Sequence, residues 1–203
     1  MFKPRFARRS LRRYRTKGLD DLERHMFAAA SVDGLQGARV LEIGGGIGAL
    51  QAELLLAGAA NGEVVELVDA FEPYARALAQ EIGLAERTSF RVADVLDDPE
   101  AVQPADVVLM NRVVCCSPDG VALTGQASRL TRRTLVLSFP RDHVWMRVGA
   151  RFTNAGFRLL GRSFRLFVHS RKAIVAAAEA EGMRLADSGH GALWEFAALR
   201  RVS

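Results

Sequence analysis

Residues 40 to 48 read Val40-Leu41-Glu42-Ile43-Gly44-Gly45-Gly46-Ile47-Gly48, an apolar run that holds one acid and then turns on glycines at alternate positions. Gly44, Gly46 and Gly48 would let a ligand approach the main chain, and the apolar residues before them read as a buried parallel strand. From residue 50 to 56 the spacing becomes helical, so the first amides of that helix would point at whatever the loop holds. Such a loop suits a nucleotide. Gly44, Gly46 and Ala49 also satisfy the dinucleotide-binding pattern GxGxx(G/A), so the loop alone leaves two cofactor classes open. Further acids follow: Glu66 and Asp69 at the end of a second apolar run, either able to accept hydrogen bonds from ribose hydroxyls, and Asp94 at the end of a third. The two cysteines, Cys115 and Cys116, are adjacent. That spacing neither staples a fold nor supplies zinc ligands, and reduced thiols beneath a loop are expected, with no metal.

Charge is unevenly spread. The formal net charge is +5, yet the first 17 residues hold eight Lys or Arg and no acid. A second basic stretch runs from 132 to 172, where Arg132, Arg133, Arg141, Arg147, Arg151, Arg158, Arg162, Arg165, Arg171 and Lys172 face the single acid Asp142. Nucleic acid, anionic lipid or an acidic small substrate would be drawn to such surfaces. Hydrophobic content of 49% and charged content of 25% are those of a globular protein. No apolar run approaches the ~20 residues of a membrane span. The basic N-terminus lacks the apolar segment of a secretory signal, so a cytoplasmic location is the default expectation.

The elements that must position these residues alternate. Strands are expected at 38–43, 63–68, 88–93, 105–110 and 134–139, with helices at 48–58, 70–82 and 119–130 between them, a doubly wound α/β sheet. A helix over 19–30, with Asp20 and Asp21 favourable at its start, precedes the first strand. After Pro140 come an arginine-rich helix at 144–160, a short apolar and basic stretch at 163–168, and an alanine-rich helix at 171–181 ending at Gly182. Two closing strands, 183–188 and 193–200, would form an antiparallel hairpin at the sheet edge. With 203 residues we read one domain: a basic arm (1–18), a helical lead-in (19–36), a binding core (37–140), a cap-like insertion (141–170) and a closing helix and hairpin (171–203).

The acid two residues before three alternate glycines, Glu42-Ile43-Gly44-Gly45-Gly46-Ile47-Gly48, resembles the (D/E)xGxGxG loop of the class I S-adenosylmethionine (SAM)-dependent methyltransferases. The resemblance covers 38–139 well and the rest loosely. It implies a Rossmann-like fold with a mostly parallel seven-stranded sheet, SAM as cofactor and S-adenosylhomocysteine as product. Glu42, Gly44, Gly46 and Gly48 would then form the cofactor loop. The family's spacings favour Glu66 over Asp69 as the ribose acid, with Asp69 capping the next helix; Asp94 and the Val95 amide would read adenine, and Asn111 would lie by the methionine end.

Methyl transfer is a direct displacement, so few residues need be catalytic. His169, just before the helix at 171, is the candidate base. Tyr14 on the arm, and Arg147, Arg151 and Arg165 in the insertion, are candidates to bind an acceptor bearing a carboxylate or phosphate. Asn111-Arg112-Val113-Val114 departs from the (D/N)PP(Y/F) of amino-methylating members, which argues against that chemistry and leaves O-, C- or S-methylation. A small-molecule acceptor is the leading expectation. Alternatives are an RNA methyltransferase gripping phosphates with its arm, a SAM-binding protein without catalysis, and an NAD(P)-dependent oxidoreductase. A homodimer through the arm and the 144–168 segment is compatible with the pattern.

Overall fold

In the computed structural model, which describes residues 4–162 and 164–202, the apolar runs become the strands of one sheet. These are β1 (Arg39–Ile43), β2 (Asn61–Glu66), β3 (Thr88–Val92), β4 (Ala105–Met110), β5 (Thr131–Pro140), β6 (Met183–His190) and β7 (Trp194–Arg201). Their order is β3-β2-β1-β4-β5-β7-β6. β1 to β5 pair in parallel, and β7 enters antiparallel between β5 and β6. Successive side chains leave a strand on opposite faces. Val40, Leu109 and Val136 therefore join a core with α1 (Pro4–Lys17), α2 (Asp21–Ser31), α3 (Ala49–Leu56) and α4 (Glu72–Glu81). Leu41, Val108 and Leu135 join another with α5 (Gly120–Arg129) and α7 (Arg171–Ala180). The remaining helix, α6 (Val144–Leu159), buries only Ala150.

The expected sheet and hairpin are present, with instructive shifts. β2 runs 61–66 rather than 63–68: Gly62 pairs with Val40 and Thr88, and its missing side chain is filled by Gln51, which a Cβ there would meet at 2.6 Å. The strand ends at Glu66 because its Oε1 accepts from the amides of Leu67 (2.9 Å) and Val68 (3.2 Å), turning the chain. Asp69 does not cap a helix. It is the first residue of a 3-10 turn, and neither that turn nor α4 has a side-chain cap. The arm is helical from residue 4 and packed, since Ala7, Leu11 and Tyr14 are buried. The 163–168 stretch starts at Ser163, outside the described residues, and 164–170 has no regular structure. Among the described residues no helix is long and apolar enough to cross a membrane.

Candidate active site

The strand order reverses between β1 and β4, and a cleft opens beyond the carboxyl ends of β1 to β4 at that switch point, where open α/β sheets hold ligands. Its volume is about 790 Å³. The glycine loop forms one wall. Gly44 and Gly46 have φ of 64° and 58°, in the left-handed region. A Cβ at Gly44 would strike Val113 at 2.4 Å and one at Gly46 would press on Phe71 at 3.2 Å. The protein's own packing, and not only the approach of a ligand, therefore requires these glycines. Gly48, also at positive φ, precedes α3 without a side-chain cap. Glu42 supplies the cap from the strand: its Oε2 accepts from the Gln51 amide at 3.1 Å. Burial pushes the Glu42 carboxyl up to about 8, against that hydrogen bond and with the repulsion of Glu23 and Glu66.

The other expected cofactor residues line the same cleft. Glu66 does and Asp69 does not. The second oxygen of Glu66 accepts from the Gly46 amide (3.1 Å), so the acid also fixes the loop. Burial raises its pKa, and the three amide donors work the other way. Asp94 accepts from the Leu96 amide at 2.9 Å in a tight turn, and Asp94 and Val95 both line the cleft. Asn111 is there too, with its amide committed at both ends: Nδ2 donates to Glu23 (3.2 Å) and Oδ1 accepts from Ser138 (2.9 Å).

Beyond Asn111 the lining changes to residues that sequence reasoning did not assign to a site. Phe6, Arg9, Ser10 and Arg13 come from α1, Asp20 and Glu23 from the start of α2, Arg112 from the turn after β4, Phe164 and Leu166 from the stretch after α6, and Trp194 from β7. Asp20 and Glu23 form a capping box at the N-terminus of α2. The D-x-x-E spacing was a readable signal for it. Arg13 donates twice to Glu23, at 3.0 and 2.9 Å, and Arg112 donates to Asp20 at 2.8 Å. Burial opposes charge on Asp20, but the Glu23 amide, Arg112 and Arg13 outweigh it and hold its pKa below the ordinary value. Arg112 has φ 59°, the one positive value outside glycine among the described residues. Such strain gathers at functional sites. Its amide donates to Ser138 (2.9 Å), and its guanidinium lies 5.4 Å from the Trp194 ring. Cys115 and Cys116 are free and border the cleft. Their hydrogen bond raises the pKa of the buried Cys115 and lowers that of Cys116. Among the described residues no cluster of His, Cys, Asp or Glu is placed to hold a metal ion.

Of the expected cofactor loop, Gly48 does not line the cleft, and five expected catalytic or acceptor-binding residues are not brought to it either. The Tyr14 hydroxyl is turned into the α1–α3 packing, where it donates to Glu53 at 2.7 Å. Arg147 pairs with Asp142 at 2.6 Å, Arg151 is exposed on α6, and Arg165 donates to the carbonyls of Arg162 and Phe164. The His169 Nε2 lies 3.0 Å from the Ser117 carbonyl, which fixes it as the donor. The ring sits behind the lining, where a side chain at Gly120 would strike it at 2.6 Å. Among the described residues, the basic ones that do face the cleft are Arg9, Arg13 and Arg112.

No protein-family model and no curated protein matches the sequence. Solved structures do match. Magnesium protoporphyrin IX methyltransferase (ChlM) from Synechocystis PCC 6803, with bound S-adenosylhomocysteine, superposes with a TM-score of 0.69 at 20% identity over 88% of this chain and 83% of that one. An O-methyltransferase family protein from Burkholderia thailandensis reaches 0.75 at 16% identity, over 98% of this chain and 59% of that one. This chain has the Rossmann-like methyltransferase fold. The cyclase SpnF shares it, with a TM-score of 0.68 at 13% identity over 88% of this chain and 80% of that one. The methyltransferase fold thus also carries other chemistry, and the reaction must be argued from the cleft.

Proposed function

We propose that this protein is a SAM-dependent methyltransferase acting on a small-molecule acceptor that bears a carboxylate or phosphate. The observation that carries this reading is a single cleft in which the glycine loop, Glu66, Asp94 and Asn111 succeed one another across the ends of β1 to β4 and which continues between α1 and the 164–166 stretch. Glu66 would accept from the ribose hydroxyls, Asp94 and the Val95 amide would read the adenine edge, and the loop amides would face the amino-acid end. The bound cofactor supplies a methyl group already activated on a sulfonium, so the protein's work is alignment and exclusion of water. Phe6, Phe164, Leu166 and Trp194 would give the acceptor an apolar enclosure. Asp20 and Glu23 occupy Arg13 and Arg112, which leaves Arg9, exposed at the rim, to meet an anionic group. The ChlM and O-methyltransferase neighbours support screening small molecules before RNA.

Calorimetric titration with S-adenosylhomocysteine, NAD and NADP tests the cofactor. S-adenosylhomocysteine should bind alone, with affinity reduced at least about tenfold in Glu66→Ala and unchanged in Asp69→Ala. Preference for NAD(P) would replace methyl transfer with hydride transfer as the leading reading. Turnover with RNA and none across a panel of carboxylated and phosphorylated small molecules would overturn the acceptor class.

A further inference from the structure

The 16 residues of α6 carry no acid and divide around the 3.6-residue turn into three stripes. Met146, Ala150, Asn154 and Phe157 share the inner side and are buried or half-buried. Asn154 fastens this side to the stretch behind it: its Nδ2 donates to the Leu166 carbonyl and its Oδ1 accepts from the Leu166 amide, both at 2.8 Å. The outer side bears Val144, Trp145, Val148, Phe152 and Leu159. All are exposed, Trp145 at 54%, Phe152 at 75% and Leu159 at 89%. Between the two stands a row of exposed arginines, Arg147, Arg151 and Arg158. Asp142 is the one carboxylate that pairs with them among the described residues.

We infer that α6 lies flat in the headgroup layer of an anionic bilayer, with the Trp145, Phe152 and Leu159 side at the acyl boundary and its arginines on lipid phosphates. An apolar stripe with Trp, Phe and Leu beside a basic stripe is the pattern of a helix held in that interface. Its length and composition do not allow it to span. Charge selects the lipid over a second copy of this chain, because two-fold packing would set one arginine row against another with no acid on either helix to answer it. The aliphatic residues select it over RNA: Trp145 and Phe152 could stack on bases, but Val144, Val148 and Leu159 among them offer neither a donor nor a stacking face and gain only from an apolar phase. Arg5, Arg8 and Arg12, exposed on α1, add positive charge on the helix that lines the cleft opposite Phe164 and Leu166.

The test is flotation of the full chain with vesicles of phosphatidylcholine alone and vesicles in which about a third of the lipid is phosphatidylglycerol. Partition should favour the anionic vesicles at least about tenfold and fall with added salt. Phe152→Ser with Leu159→Ser should lower it by about tenfold or more, and Arg151→Glu with Arg158→Glu should erase the preference for anionic lipid. These side chains are exposed, so thermal unfolding of both variants should match the parent and separate lost binding from lost fold. In a Trp194→Phe background, Trp145 emission should shift to the blue with anionic vesicles only. No partition, equal partition into both vesicles, or partition unaffected by the substitutions would overturn the inference. So would a dimer in vesicle-free sedimentation that Phe152→Ser with Leu159→Ser dissolves. Vesicle binding is read without turnover or cofactor, so its failure is distinguishable from failure of the methyltransferase reading.

Discussion

Glu42 sits fully inside the protein, where burial first, and the nearby carboxylates after it, hold its pKa near 8 despite the Gln51 amide. The unfolded chain releases this proton near the ordinary value of 4.5. Between those values the native state keeps a proton that the unfolded state has lost. The stabilisation is therefore complete below pH 4.5 and is lost as pH rises toward 8, with a slope of up to about 1.4 kcal/mol per pH unit. Glu42→Gln keeps an acceptor for Gln51 and removes the titration. Urea unfolding at several pH values should find the variant close to the parent near pH 5 and increasingly the more stable of the two toward pH 8. Parallel pH profiles would refute the protonated Glu42. The sequence told this acid's place before the glycines, but not that it caps α3, because the Gln51 amide reaches it only through the turn of the loop.

At the scale of the element, the capping box of α2 is both a helix start and part of the cleft. Asp20→Ala removes the acceptor for the Glu23 amide and the partner of Arg112, and should cost about 1–2 kcal/mol in denaturant unfolding. Asp20→Asn, which keeps the cap and loses the charge, should recover most of it. An Ala variant as stable as the parent would show that the box carries no weight. Long apolar strands were legible: β4 was read at its observed bounds, and β1 within one residue. Where prediction slipped, a tertiary contact had overruled local pattern. Gly62 enters β2 because Gln51 fills its place, Leu67 and Val68 leave it because Glu66 gathers their amides, and β5 begins at Thr131 because Thr131 pairs with Ala105 of β4.

For the molecule as a whole, the part of the cleft proposed to take the cofactor was legible because its residues stand at or just beyond the ends of strands. The part proposed to take the acceptor was not, because it is assembled from α1, α2, the turn after β4, the 164–166 stretch and β7, which meet only in the folded chain. Charge runs located the basic regions without telling which way each arginine points. A ligand that bridges these parts should stabilise them together. At a hundredfold excess over its dissociation constant S-adenosylhomocysteine should add about 2.7 kcal/mol, which raises the Tm by roughly 5–10 °C in a thermal shift assay. NAD at the same concentration should leave it unmoved; the reverse result would contradict the cofactor assignment. The paired bonds between Asn154 and Leu166 also have a mechanical meaning. Two hydrogen bonds running in opposite directions resist sliding as well as separation, so α6 and the Phe164–Leu166 wall must travel as one piece. Whatever holds the outside of that helix therefore also holds Leu166, and with it one wall of the cleft.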